Sequence, residues 1–161
     1  MTISQGDKLP EGTLIRLGAN GPEQVSIESL TKDRKVVIFA VPGAFTPTCS
    51  VAHVPSFIRT KAQFDAKGVD EVVCLSVNDA FVMKAWGEAT GATEAGITML
   101  ADAGAYTKAL GLAFDAPGAG LMGRSKRYAM YVVNGVVEKL HLEENSGACD
   151  ISGGEAMLAE I

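Results

Sequence analysis

The segment Val41-Pro42-Gly43-Ala44-Phe45-Thr46-Pro47-Thr48-Cys49 places a hydroxyl three residues before a thiol, between a strand-like run and a helix-like one. A cysteine so placed can act as a nucleophile. The attacking species is the thiolate, and a free thiol of pKa ~8.5 is only about 3% ionised at pH 7. A helix start near Thr48 puts Cys49 in the first turn, where unpaired N–H groups and the positive end of the dipole favour an anion. Ionisation is only part of reactivity, because intrinsic nucleophilicity falls as thiol pKa falls. A solitary cysteine near a helix start is more often an inert small hydrophobe, so its neighbours decide the matter.

Sulfur attack on an O–O bond builds negative charge on the departing oxygen. That charge calls for fixed donors, each worth about 3–4 kcal/mol. The Thr46 hydroxyl can accept a peroxide proton or donate to the thiolate. Pro42 closes the same loop without offering a competing N–H. The cation of choice is Arg127 in Ser125-Lys126-Arg127-Tyr128, with Arg124 as the alternative. Taken alone, Arg127 reads as an ordinary surface charge at a strand end. His53, four residues after Cys49 on the same predicted helix, reads as an incidental surface or packing histidine. Three cysteines and two histidines supply ligands in number for zinc, but their positions lack the close paired spacing of structural zinc modules.

VPGAFTPTC within KVVIFAVPGAFTPTCSVAHVPSF, together with VDEVVCLSVNDAFVMKAW, SKRYAM and VVNGVVEKLHLEE, resembles the peroxiredoxins of the type II subfamily over nearly the whole chain. The resemblance implies a thiol peroxidase acting on hydrogen peroxide and organic hydroperoxides, with no metal or flavin cofactor, commonly a homodimer. It implies that Cys49 is the peroxidatic cysteine, that Thr46 and Pro42 are its companions, and that Arg127 holds thiolate and peroxide. A thiol–disulfide oxidoreductase of similar fold would need a second cysteine in C-x-x-C; Thr46 occupies that place.

A sulfenic acid on Cys49 must be reduced before more peroxide drives it to sulfinic acid. Cys74, in the strand-like Val72-Val73-Cys74-Leu75, reads first as a buried core residue, although plant relatives resemble it in using a cysteine there. Cys149 lies in a polar stretch, Glu143 to Asp150, whose glycine suggests exposure and mobility; mammalian relatives carry a resolving cysteine in a similar loop, but the local match is offset. A disulfide needs Cα atoms within about 7 Å, so either pairing calls for the first turn at Cys49 to unwind. The remaining route is direct reduction by glutathione, glutaredoxin or thioredoxin. Glutathione or glutaredoxin is favoured, with Cys74 the leading internal partner.

The elements that must position these residues follow from periodicity. Thr13–Leu17 and Val25–Ile27 flank Asn20-Gly21-Pro22 as a peripheral hairpin. Lys35–Val41 is almost continuously apolar, as expected of a central strand covered on both faces. Helical spacing runs from Cys49 to Lys67, with a kink or split expected at Pro55 and a stop at Gly68. Val69–Val77 reads as a second buried strand, Asn78-Asp79 as the cap of the next helix, Ile97–Leu100 as a strand and Tyr106–Leu110 as a short helix. Leu112–Gly123 reads as a Gly- and Ala-rich loop. Tyr128–Val133, Asn134-Gly135 and Val136–Leu142 form a hairpin with a type I′ turn, and a helix covers Gly154–Ile161. Two βα units, a hairpin and a closing helix make an α/β thioredoxin-like fold with a mixed central sheet flanked by helices, as one domain over residues 1–161.

At 161 residues, such a domain buries roughly two-thirds of its unfolded surface and needs no staple. A net charge of −5 and pI near 5.0 speak against nucleic acid and anionic membranes as partners. The N-terminal MTISQGDKLPEG lacks the basic and apolar regions of a signal peptide, and no later run reaches the ~18 apolar residues of a membrane span. An odd, widely spaced set of cysteines is unlike a secreted framework, so the cytoplasm is the expected location.

Overall fold

The run Lys35–Val41 can be buried only if both faces of its sheet are covered, and the computed structural model, which describes residues 2–161, shows that cover. The chain enters through a hairpin of β1 (Thr13–Gly18) and β2 (Gly21–Ser26), followed by the short helix α1 (Ile27–Thr31). β3 (Lys35–Val41) leads through a loop into a π-wound turn, Cys49–His53, continued by α2 (Val54–Ala66). β4 (Glu71–Ser76), α3 (Ala80–Thr90), β5 (Thr98–Ala101) and α4 (Ala105–Ala109) follow. A separate two-stranded ribbon of β6 (Ala113–Ala116) and β7 (Leu121–Ser125) precedes the hairpin of β8 (Tyr128–Val133) and β9 (Val136–Leu142). The last helix is α5 (Gly154–Leu158).

The main sheet has seven strands in the order β2-β1-β5-β4-β3-β8-β9. β3 lies near its centre, parallel to β4 and antiparallel to β8. Its side chains alternate: Val37, Phe39 and Val41 join the cluster beneath α2 and α3, while Val36, Ile38 and Ala40 join the opposite one with Leu30 and Tyr106. The same alternation sends Cys74 of β4 to the α2 side and Val73 and Leu75 to the other. Two hydrophobic layers thus account for a strand whose sequence shows no period.

Most sequence expectations hold to within a residue or two, but in the first hairpin Gly21 and Pro22, expected in the turn, already belong to β2, and Ile27, expected in the strand, opens α1. Asp79 caps α3 by accepting from Val82 N at 2.8 Å, and Gly68 takes φ +84° just past α2. Asn134 and Gly135 have φ of +48° and +78°, the pair of left-handed residues a type I′ turn requires. The strand expected over Val69–Val77 is confined to Glu71–Ser76, and the final helix stops at Leu158. Leu112–Gly123 is not a loop: β6 and β7 pair there, and the Asp115 carboxylate accepts from Gly123 N at 2.6 Å. Small residues with no apolar alternation conceal that ribbon. Among the described residues no helix is long and apolar enough to cross a membrane.

Candidate active site

Pro55 has no N–H to give the carbonyl four residues before it, and the turn preceding it is widened: Val54 N–H bonds Cys49 O, five residues back. Such π-turns insert one residue into a helix and occur often at functional sites. Cys49 therefore sits at the mouth of a helix that begins at Pro47, held by two side-chain ties. Trp86 Nε1 of α3 donates to Ser50 Oγ at 2.9 Å. The Asn78 Oδ1 atom, just after β4, accepts from Ala44 N at 3.0 Å and from Ser76 Oγ at 2.6 Å. The loop between β3 and the helix is thus pinned to the carboxyl end of the neighbouring strand.

The Cys49 sulfur is fully buried and has two donors facing it. Thr46 Oγ1 lies 2.8 Å from Sγ and 2.7 Å from Gly43 O. Arg127 Nη2 lies 3.2 Å from Sγ. Arg127 is itself buried, contrary to its reading as a surface charge, and its other donors are engaged: Nη1 meets His53 Nδ1 at 2.9 Å and Nε reaches Ser146 O at 3.0 Å. None of the ion pairs among the described residues includes it. Arg124 is turned elsewhere, with Nη1 3.3 Å from Pro42 O, where it braces the loop.

His53 is no incidental side chain. Its Nε2 lies 2.9 Å from Ser152 O, a group that can only accept, so Nε2 carries the ring proton. Nδ1 is then the acceptor for a guanidinium that can only donate. Burial, then the nearby Arg127 charge, lower its pKa from 6.5 to about 3 against the raising effect of Ser152 O. A neutral imidazole of one tautomer is what the geometry requires. The Phe39 and Phe57 rings pack 5.0 and 5.7 Å from it.

Beside the two donors opens a cavity of about 720 Å³ whose wall includes Pro42, Thr46, Arg127, Phe114, Leu121 and Leu142. That volume falls in the range of small-molecule sites, roughly 300–1,000 Å³, and its apolar walls come largely from the β6–β7 ribbon and the end of β9. The Redoxin family model matches residues 4–158. Peroxiredoxin-2E-2, chloroplastic, of Oryza sativa subsp. japonica is 49% identical over 99% of this chain and 73% of its own length. Peroxiredoxin-2C of the same plant is 47% identical over 99% of this chain and 98% of its own. The crystal structure of reduced Prx3 from Vibrio vulnificus in complex with hydrogen peroxide superposes with TM-score 0.92 at 49% identity, covering 99% of both chains. The chain belongs to the peroxiredoxin family. It is a thiol-dependent peroxidase of the type II branch, on a thioredoxin-like fold.

In this peroxiredoxin all three cysteines are free. Cys74 is fully buried, in the same hydrophobic cluster as Cys49, and burial pushes its thiol well up, with lesser effects from Cys49 and Arg127. Cys149 is half-buried, with Ser152 Oγ 3.9 Å away, and burial raises its thiol too. The late polar stretch is exposed at Glu144, Asn145, Gly147 and Asp150, in line with its polar sequence, and is also tied to the site: Thr48 Oγ1 donates to Gly147 O at 2.9 Å and Arg127 bonds Ser146. The sequence pattern missed His53, Ser146 and Ser152. Only the four-residue spacing of Cys49 and His53 hinted at the first.

Because His53 binds a proton more weakly folded than unfolded, its contribution to stability is complete above about pH 6.5 and is lost as pH falls toward about 3. Urea unfolding of wild type and His53→Asn across this window should show the wild type losing on the order of 3 kcal/mol more between about pH 6.5 and 4. Identical pH dependence in the two proteins would contradict the buried neutral imidazole.

Proposed function

We propose that Cys49 is the peroxidatic sulfur, that Thr46 and Arg127 orient the hydroperoxide and stabilise the departing oxygen, and that Pro42 shapes the loop around them. The observation that carries this reading is the convergence on one buried sulfur of two donors that both line a small-molecule cavity. Sulfur attacks the terminal peroxide oxygen, an S–O bond forms as the O–O bond breaks, and the alkoxide or hydroxide leaves to collect a proton. Sulfur is oxidised by two electrons to sulfenic acid and the peroxide is reduced to alcohol or water.

One hydroxyl proton cannot serve both Gly43 O and Cys49 Sγ. Donation to sulfur suits the resting thiolate. Turning toward Gly43 O frees the Thr46 lone pairs to accept the peroxide O–H and clears the sulfur for attack. Arg127 supplies fixed charge to the leaving oxygen. Hydrogen peroxide leaves most of the cavity unfilled, so the apolar walls of Phe114, Leu121 and Leu142 favour organic hydroperoxides as well. The Vibrio protein described with hydrogen peroxide, 49% identical, supports the smaller substrate.

For recycling we favour glutathione or glutaredoxin over thioredoxin. An external thiolate displaces water from the sulfenic acid to give a mixed disulfide, and a second thiol releases the Cys49 thiolate. The cavity admits such a thiol, whereas burial keeps Cys74 and Cys149 in the less nucleophilic protonated form. Peroxide consumption should be followed with glutathione plus glutaredoxin, and separately with thioredoxin. We expect Cys49→Ser to abolish turnover, Thr46→Val to slow it by about 10²–10³-fold, and Cys74→Ser and Cys149→Ser to keep glutathione-driven turnover. Full turnover by Cys49→Ser contradicts the reading; loss confined to one of the other cysteine variants would assign resolution to that thiol.

We further propose a homodimer that covers the rings of Phe45 and Phe81, 58% and 61% exposed. Phe45 holds φ +64°, a conformation costing a bulky residue roughly 1–3 kcal/mol that a partner surface can offset. Sedimentation should report a dimer for wild type and a monomer for Phe81→Glu; an unchanged mass in the variant would rule this interface out. Three free cysteines suit a reducing compartment, and the cytoplasm is our proposed location; cell fractionation that finds the protein in an oxidising compartment would contradict it.

A further inference from the structure

Between β9 and α5, residues 143–153 adopt no regular structure, yet four contacts of the site end on them. Ser146 O accepts from Arg127 Nε at 3.0 Å and Ser146 Oγ from Arg127 N at 3.3 Å. Ser152 O accepts from His53 Nε2 at 2.9 Å, and Gly147 O from Thr48 Oγ1 at 2.9 Å. Carbonyls on an irregular segment can aim a guanidinium only if something fixes the segment.

That something is a carboxylate. Glu143 is 6% exposed, and its Oε2 accepts from Asp150 N at 2.7 Å, Ser152 N at 2.9 Å and Ser152 Oγ at 2.7 Å. Its own N–H bonds Arg127 O at 3.0 Å, so it joins the strand entry that carries Arg127 to the far end of the segment. No ion pair among the described residues includes Glu143; a buried acid therefore spends its charge on three donors of one loop. Burial alone would raise its carboxyl, but the Ser152 hydroxyl, the Ser152 and Asp150 N–H groups and, after them, the Arg127 charge outweigh it and hold the group below its ordinary value.

We propose that Glu143 is a positioning residue of the peroxidase: by gathering Asp150 and Ser152 onto its carboxylate it folds residues 144–152 into a strap whose carbonyls hold Arg127 and His53, and so aims Arg127 Nη2 at the Cys49 sulfur. This rests on the reading of Cys49 and Arg127 given above. Glu143 touches neither sulfur nor peroxide; it acts through the strap.

The test separates aiming from folding by comparing two reactions of one sulfur. Oxidation by hydrogen peroxide needs the guanidinium beside the departing oxygen, whereas alkylation by iodoacetamide does not. Both rates are measured by stopped flow on their high-pH plateaus, where the thiolate fraction cancels. The single tryptophan, Trp86, bonded to Ser50 beside Cys49, provides the signal, and loss of the Cys49 thiol is counted in parallel. Glu143→Ala should slow peroxide oxidation by about 30- to 100-fold, as a misplaced group near a reacting atom does. Glu143→Gln, which keeps an acceptor, should lose less, and alkylation should change by less than about threefold in both. In an Arg127→Lys background, Glu143→Ala should cause no comparable further loss, because coupled residues are non-additive. Unchanged peroxide rates, parallel loss of both reactions, or full additivity would each overturn the proposal. If Glu143→Ala does not fold, Glu143→Gln carries the test. A wild-type Cys49 that meets peroxide no faster than free glutathione would overturn the peroxidase reading itself, and the proposal with it.

Discussion

Arg127 is a buried cation that no carboxylate among the described residues pairs with, and the site is organised around that fact. An unpaired charge in an apolar interior is among the costliest features a fold can carry. Its guanidinium is satisfied by one carbonyl, one imidazole nitrogen and one sulfur. Of these only the sulfur can carry the opposite charge. In the function proposed above, the same arrangement leaves the guanidinium in place for the negative charge that moves from sulfur to the departing oxygen.

This constraint reaches outward through groups that have no choice of role. Arginine can only donate, so His53 must present a bare Nδ1, and its proton must go to Ser152 O. Ser152 must then be held, and Glu143 holds it. On the other side, Pro55 widens the helical turn that carries Cys49 and His53, Trp86 ties that turn to α3, and Asn78 ties the loop before it to the end of β4. Two rigid hydrophobic layers fix the strands to which these ties are made, which is why a loop, a helix mouth and a strand entry remote in sequence meet within hydrogen-bond distance.

Much of this was legible in the sequence where the signal is local. The unbroken apolar run of β3, the Asn134-Gly135 turn, the Asp79 cap and the three-residue offset of Thr46 from Cys49 each express short-range chemistry, and each stands where expected. Arg127 was singled out by family resemblance, since nothing local distinguishes it from a surface charge. His53, Glu143, Ser146 and Ser152 escaped because their roles arise from contacts across long stretches of chain: His53 meets Arg127 and Ser152 only after β8 is laid beside β3. The β6–β7 ribbon escaped for another reason, as alanine and glycine give no alternation to read.

The most direct test is to mix the reduced protein with one equivalent of hydrogen peroxide, trap sulfenic acid within the first turnover, and locate the added oxygen by peptide mass spectrometry. The account predicts that it appears on Cys49 before any modification of Cys74 or Cys149, and that Arg127→Lys slows its appearance without moving it elsewhere. Oxidation shared among the three cysteines, or appearing first on the half-buried Cys149, would contradict it.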